Sequence, residues 1–178
     1  MNSAVDKEYG RALYSLAEEE HAEVEILNEI RAIREFLTPE YVYLLSDPAI
    51  PKDERIGFVS EAFDGKINKY LANFLKLMTE RNKAYEIKGC FREYENIYYD
   101  AFGIVRVKAE SAVEINDEQR TKLQAKLEAY TGKIVEIEYI VRKDLVGGMR
   151  LQFAGRRIDE TIKKKFRDIE SRLIHTVV

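Results

Sequence analysis

The spacing of apolar residues changes near Gly103, and this change constrains the fold more than any other feature. Before it, apolar residues recur every three or four positions, as in an amphipathic helix. After it, the stretch from Ile104 to Ala109 alternates between apolar and polar residues, as in a strand with one buried face. We therefore predict a mainly α protein with a small α/β module, divided into a domain over residues 1–103 and another over 104–178.

The amino-terminal region predicts a six-helix bundle. Ser3 with Asp6 forms a capping signal for the first helix, Thr38-Pro39 begins the third and Ile50-Pro51 begins the fourth. The six predicted helices cover about residues 4–21, 23–37, 39–47, 51–65, 66–81 and 84–102.

The carboxyl-terminal region predicts a strand-helix-strand-strand-helix domain. The first strand continues its pattern to Asn116, which caps a helix that ends at Thr131-Gly132. Branched residues predict the next strand over Ile134–Val141. Gly147 and Gly148 precede a third alternating strand, and a helix that begins near Asp159 and Glu160 closes the chain at about Leu173.

The carboxyl end is basic although the whole chain has a net charge of −3. Residues 142–172 contain ten Lys or Arg against five Asp or Glu. Such a surface could bind an acidic protein, could contact nucleic-acid phosphates, or could simply be solvated. Because the aromatic residues concentrate in the amino-terminal region, away from this charge, an acidic protein partner fits the pattern better than a nucleic acid.

The residue types needed for catalysis or cofactor binding do not occur together. The two histidines, His21 and His175, are near opposite ends of the chain, and Cys90 is a single thiol that we expect in the core. The paired glycines lack the spacing of a nucleotide-phosphate loop, and we interpret Glu18-Glu19-Glu20 as a solvated helix face. We expect no catalytic residue, no metal and no cofactor. The alternative that the protein is an enzyme of an unrecognised kind is supported by no motif.

Membrane insertion is not predicted. No apolar run approaches the roughly 20 residues that a spanning helix needs, and the amino terminus lacks the apolar core of a signal peptide. We expect a soluble protein whose contact with a membrane, if it has one, is indirect.

The fifth and first predicted helices are apolar over more of their circumference than a single core contact requires. Apolar residues cover an arc of roughly 160° on the fifth helix and roughly 120° on the first, whereas one core-facing stripe needs about 100°. Two such helices side by side would leave an apolar groove able to receive an amphipathic partner helix. Alternatively, the extra apolar surface fills the helical core.

Four segments, in order along nearly the whole chain, resemble motifs of one family. Tyr9–Ala17 is similar to Y-A-x-A-L-x-x-L-A, Leu45–Arg55 to L-x-x-P-x-I-P-x-E-E-K, and Phe74–Lys83 to F-L-x-L-L-x-E-N-x-R. Val141–Leu173 resembles the carboxyl signature, in which paired glycines precede a strand and a basic helix. The family is the delta subunit of rotary ATP synthases, called the oligomycin-sensitivity-conferring protein in mitochondria.

The resemblance implies a non-catalytic stator subunit of the proton-translocating ATP synthase, peripheral on the cytoplasmic face of a bacterial membrane. It implies that the helical domain binds the amino-terminal helix of an alpha subunit between its first and fifth helices, and that the carboxyl domain binds the end of the b-subunit stalk. Carried onto this sequence, the alpha-binding residues are Tyr9, Leu13, Leu16, Phe74, Leu77 and Met78. The stalk-binding residues are Lys163, Lys164 and Arg167. A helical protein that binds nucleic acid through its basic module is the alternative.

Overall fold

The computed structural model describes residues 3–145, 148–153 and 156–159. The protein is mainly helical with a small sheet, and it divides into two compact units, Met1–Tyr98 and Tyr99–Val178. The division lies slightly before Gly103.

The described part of the first unit consists of helices joined by short turns. A short 3-10 helix, Ala84–Glu86, leads into the last of them, which continues past the division after Tyr98 and ends at Ala101. The α-helices are α1 Ala4–Glu19, α2 Glu23–Ile33, α3 Pro39–Ser46, α4 Lys52–Phe63, α5 Lys69–Glu80 and α6 Ile87–Ala101.

Side chains fix where several of these helices begin. The Ser3 hydroxyl accepts a hydrogen bond from the Asp6 backbone N–H at 3.0 Å, and the Asp6 carboxylate accepts one from the Ser3 N–H at 2.8 Å, which confirms the predicted capping box. Thr38 caps α3 as predicted. Helix α5 begins at Lys69 rather than at residue 66, because the Asn68 side chain accepts the Tyr70 N–H and occupies the cap position.

Helices α1 and α6 pack side by side at unusually short distance. A Cβ at Gly10 would lie 2.7 Å from the Cys90 carbonyl oxygen, and a Cβ at Gly89 would overlap the Asp6 carboxylate. Farther along the pair, the Tyr14 and Tyr94 rings meet edge to face with centroids 5.4 Å apart. Contacts in this order show that α1 and α6 run parallel, so α5, which reverses into α6 through a tight turn, runs antiparallel to α1.

The core of the helical unit draws on the described residues of every one of its α-helices. Its largest fully buried side chains are Tyr94 and Phe91 of α6. The other large, fully buried residues of this unit are Ile26, Ile30, Leu37, Leu45, Val59, Leu71, Leu75, Met78 and Ile87.

The second unit contains a four-stranded sheet within its described residues. The strands are β1 Ile104–Ser111, β2 Ile134–Val141, β3 Met149–Phe153 and β4 Arg156–Asp159, with helix α7 over Asp117–Thr131 between the first two. The strand order is β2-β1-β3-β4; β1 and β2 are parallel, and the other pairs are antiparallel. Gly132 ends α7 in the left-handed conformation with φ 66°, which favours glycine.

The two faces of this sheet differ in chemistry. Val107, Val135 and Phe153 on one face form a small core with Leu127 of α7. On the other face, the strand register places opposite charges directly across from one another, at Arg106 and Glu136, Lys108 and Glu138, and Glu110 and Arg150. Opposite charges in directly facing positions stabilise neighbouring strands.

The described strands of this unit differ from the sequence expectations at two points. Strand β1 ends at Ser111 and does not continue to Asn116. Strand β4 was not predicted, and Asp159 belongs to it rather than to the start of a helix, because it pairs with Arg150 of β3. The predicted closing helix lies outside the described residues.

Candidate partner-binding groove

An apolar groove lies between α1 and α5. Its cavity volume is about 230 Å³. Each helix contributes residues three or four positions apart, so the lining side chains lie on one face over about two turns. The lining residues are Tyr9, Ala12, Leu13 and Leu16 of α1 with Tyr70, Asn73, Phe74 and Leu77 of α5.

Five of the six residues assigned to alpha binding line this groove: Tyr9, Leu13, Leu16, Phe74 and Leu77. The sixth, Met78, is fully buried and is not part of the groove wall. Its neighbour Leu77 is 37% exposed. Since successive helical residues are rotated by about 100°, Leu77 turns outward and Met78 turns into the core. Met78 is therefore corrected to a core residue.

Sequence reasoning missed part of the lining. Ala12, Tyr70 and Asn73 were not assigned to the site, although all three continue the helical spacing of the assigned residues. Tyr70 could have been found, because it belongs to the wide apolar arc of α5. Asn73 could not, since its polar side chain breaks the apolar pattern that was used as the signal.

The groove has a buried floor and a more exposed rim. Leu13 and Phe74 are buried, and the Phe74 ring lies against the Phe91 ring of α6 with centroids 6.1 Å apart. Tyr9 and Leu16 are half-buried. The two interpretations of the extra apolar surface on α5 both hold in part: residues such as Leu71 and Leu75 fill the core, while Tyr70 and Leu77 line the groove.

Lysine side chains lie beside the tyrosine rings of the groove. The Lys83 ammonium nitrogen is 5.8 Å from the centre of the Tyr9 ring, and the Lys69 nitrogen is 4.7 Å from the centre of the Tyr70 ring. Both separations lie within the range of cation–π attraction. These contacts bring positive charge to the rim of an otherwise apolar surface.

A second, larger apolar cavity of about 470 Å³ lies elsewhere in the helical unit. Phe36, at its edge, is 69% exposed. The cavity is lined by Ile33, Phe36, Tyr41, Ala62, Phe63, Lys66 and Ile67. No sequence pattern pointed to this cavity, because the turn after α2 that carries Phe36 interrupts the helical period.

The described residues include Cys90 and His21, two residue types on which catalysis or metal binding often depends. No group of three or more His, Cys, Asp or Glu among them is arranged to hold a metal ion. Cys90 is fully buried, as predicted, and burial is the main cause that raises the pKa of its thiol to about 12, so the thiol stays protonated and unreactive near neutral pH. His21 is exposed. Across the described residues, no helix combines the length and apolar character required to span a bilayer.

The three residues assigned to stalk binding, Lys163, Lys164 and Arg167, lie outside the described residues. In the described part of the basic region, the Arg142 guanidinium donates to the Asp144 carboxylate at 3.0 Å. That hydrogen bond is the main cause that lowers the pKa of Asp144.

Comparison with known proteins identifies the family. The family model described as ATP synthase delta (OSCP) subunit matches residues 5–173. ATP synthase subunit delta of Chlorobium chlorochromatii is 31% identical over 170 residues, covering 94% of this chain and 95% of the relative. The corresponding subunit of Lachnoclostridium phytofermentans is 30% identical, with 97% of each chain covered.

A solved structure supports the fold. A chain in the cryo-EM structure of the Toxoplasma gondii mitochondrial ATP synthase hexamer matches with a TM-score of 0.70 at 12% identity, over 97% of this chain and 98% of that chain. At this level of identity the likeness concerns the fold alone. The family match over nearly the whole sequence, together with the curated relatives, shows that this chain belongs to the ATP synthase delta (OSCP) subunit family.

Proposed function

We propose that this protein is a non-catalytic stator subunit that links the catalytic alpha/beta head of a rotary ATP synthase to the b-subunit peripheral stalk. Family membership supports a stator-type subunit. The observation that carries the finer proposal is the apolar groove between α1 and α5, with a buried floor and the exposed Leu77 on its rim.

The groove fits an amphipathic helix. Its α1 wall extends from Tyr9 to Leu16 and its α5 wall from Tyr70 to Leu77, which at 1.5 Å per residue gives a length of about 10 Å. A docked helix would place residues at i, i+3 or i+4, and i+7 along that length. In this proposal, helices α1 to α6 act as a six-helix bundle on the head, and the groove receives the amino-terminal helix of an alpha subunit.

The mechanical role explains why the contact should be apolar and preorganised. Rotor torque acts on the head, and rotation drives conformational change in the catalytic sites only if the head itself does not turn. An apolar contact loses little strength as ionic strength varies, whereas an exposed ion pair is screened by salt. The Phe74 ring, fixed against Phe91, gives such a contact a rigid floor.

The α/β unit would then bind the end of the b-subunit stalk. In this arrangement the protein is peripheral, reaches the membrane only through the complex, and lies on the cytoplasmic face in a bacterium. Lys163, Lys164 and Arg167 remain the proposed stalk contacts.

Nucleic-acid binding is the weaker alternative. In the described part of the basic region, Arg142 and Arg150 form ion pairs with Asp144 and Glu110 at 3.0 Å and 3.1 Å, so these two cations are less available to phosphates. The curated relatives described above carry the name of an ATP synthase subunit. A steep fall in affinity for DNA or RNA with rising salt, without any affinity for head subunits, would favour this alternative.

Titration calorimetry with a peptide from the cognate alpha-subunit amino terminus tests the proposal. Leu77→Glu places a charge on the rim of the groove and should weaken binding by about tenfold or more, which corresponds to about 1.4 kcal/mol or more. Phe36→Glu is the matched control, because it changes an exposed apolar residue at the other cavity. If the Phe36 variant lost binding and the Leu77 variant kept it, the peptide would bind at the cavity beside Phe36. That result would contradict the assignment of the groove between α1 and α5.

A complementary experiment addresses the link itself. Purified head and b subunits should associate in pull-down assays only when this protein is added. Association of equal strength without it would contradict the stator proposal.

A further inference from the structure

Strand β2 forms an edge of the sheet in the described part of the chain, where its one neighbouring strand is β1. Alternate residues of a strand direct their backbone groups to opposite sides. Just after β2, the Arg142 N–H donates to the Ser111 carbonyl of β1 at 2.7 Å, so the even-numbered residues of β2 face β1. The backbone groups of Ile137, Tyr139 and Val141 therefore point outward.

Helix α7 reaches the beginning of this edge. The Val135 N–H donates to the Glu128 carboxylate of α7 at 3.5 Å, which agrees with an outward direction for the odd-numbered residues. Farther along, α7 lies against one face of β2, since the Tyr139 hydroxyl donates to the Arg120 carbonyl at 3.5 Å. Among the described residues, no strand pairs with the outer edge of β2.

The charged face of the sheet indicates which side chains an added strand would carry. Glu136 faces Arg106 of β1, and Glu138 faces Lys108. Both glutamates are exposed and belong to the outermost strand, so these cations lie on their inner side. A strand that continued the alternation of charge would place Lys or Arg on their outer side, where opposite charges in facing positions stabilise the pair.

A second copy of β2 fits this edge poorly. In an antiparallel pair formed about a two-fold axis, the two registers with the longest overlap are centred on Ile137 and on Glu138. The first register places Glu136 opposite Glu138, and the second places Glu138 opposite its counterpart in the other copy. Like charges in directly facing positions destabilise paired strands. The glutamates thus oppose self-association, which is a hazard of exposed strand edges.

We propose that the outer edge of β2 binds an extended segment of a partner protein as an added strand. The segment carries Lys or Arg opposite Glu136 and Glu138 and an apolar residue between them, opposite Ile137. Strand addition supplies affinity through backbone hydrogen bonds, while alternating side chains supply selectivity. On the inner side, β1 meets β2 through the same kind of run, Arg106–Lys108. The proposal goes beyond the stator function, because it uses neither the groove nor the proposed stalk contacts.

Hydrogen exchange in the intact protein tests whether the edge is open. The amides of Ile137 and Tyr139 should exchange faster than those of Glu136 and Glu138, which face β1. Equal protection of the two sets would show that the edge is already covered and would overturn the proposal.

A synthetic peptide tests the chemistry of the partner. The probe has the sequence of Ile104–Ala109 and is capped at both ends, and the matched control peptide carries Arg106→Glu and Lys108→Glu. In NMR spectra of the intact protein, the cationic peptide should shift the amide signals of Ile137, Tyr139 and Val141 and slow their exchange. No shift at millimolar peptide, or equal shifts with both peptides, would overturn the proposal.

Charge variants test the role of the glutamates. Glu138→Gln should weaken binding of the cationic peptide about threefold at low salt, the scale of one exposed ion pair, and the difference should shrink as salt rises. Glu54→Gln removes an equal charge from the exposed surface of α4 and is the matched control. Equal affinity of the two variants would contradict the charge complementarity. Sedimentation that showed dimers dissociated by the peptide would assign the edge to a second copy and overturn the proposal.

Discussion

The helical unit and the α/β unit use apolar residues in different ways. The helical unit has enough apolar side chains to fill a core and still line a groove with Tyr9, Leu16 and Leu77. The α/β unit has a small core around Val107, and the opposite face of its sheet carries facing pairs of opposite charge. The first unit is therefore suited to recognition by apolar burial. The second must offer a largely polar surface on that sheet face.

The difference has a cause in the packing of the helices. Gly10 and Gly89 let α1 and α6 approach closely, so α6 closes the core with Phe91 and Tyr94. The outward-facing apolar residues of α1 and α5 are therefore not required to fill the core. In the sheet, alternating side chains divide between two faces, so the charged residues of β1 gather on the face opposite the core.

The largest expected effect is on the small core. Phe153→Ala should lower the free energy of unfolding of the α/β unit by about 3–5 kcal/mol, because the removed ring contributes to a buried cluster of few members. Hydrogen exchange of amides in β1 and α7 reports the loss. Gln152→Ala, an exposed change on the charged face, is the control and should cost less than about 0.5 kcal/mol. Similar protection in both variants would show that this cluster is not the stabilising core.

The next effect separates two adjacent residues of α5. Met78→Ala should cost about 2–5 kcal/mol of stability because it leaves a cavity in the core, yet a folded variant should bind the alpha-subunit peptide normally. Leu77→Ala should change stability little and weaken binding by about 1 kcal/mol or more. Chemical denaturation and calorimetry on the same samples measure both quantities. If Leu77→Ala instead lowered stability and Met78→Ala weakened peptide binding, the groove would lie on a different face of α5.

A smaller effect compares the two capping boxes. Ser3 with Asp6 caps α1, where Asp6 is buried, and Asn116 with Gln119 caps α7 on an exposed surface. Ser3→Ala should cost about 1 kcal/mol. Asn116→Ala should cost less, since water can replace the lost acceptor there. Thermal unfolding ranks the two variants, and a larger loss for the Asn116 variant would contradict the importance of burial.

Local sequence signals predicted much of the fold. The caps at Ser3, Thr38 and Asn116 marked helix starts correctly, because a capping side chain bonds to backbone only a few residues away. Strand β2 matches its predicted range, Ile134–Val141, because a run rich in β-branched residues favours a strand.

The remaining features depend on contacts between distant residues. Strand β4 exists because Asp159 pairs with Arg150, and nothing in its short, charged sequence indicates a strand. The apolar arc of α5 included Met78 and Leu77 alike, since the width of an arc does not show which edge meets the core. The larger cavity beside Phe36 likewise arises from residues of separate helices that have no shared pattern.

Mapping the alpha-subunit peptide by amide chemical shifts tests the central claim most directly. On titration of the peptide into the intact protein, the account predicts the largest shifts at the groove residues Leu16, Tyr70, Asn73 and Leu77, with little change at Phe36 and Ile67. Shifts concentrated at Phe36 and Ile67, or confined to the α/β unit, would contradict the assignment of the groove between α1 and α5 as the site that binds the catalytic head.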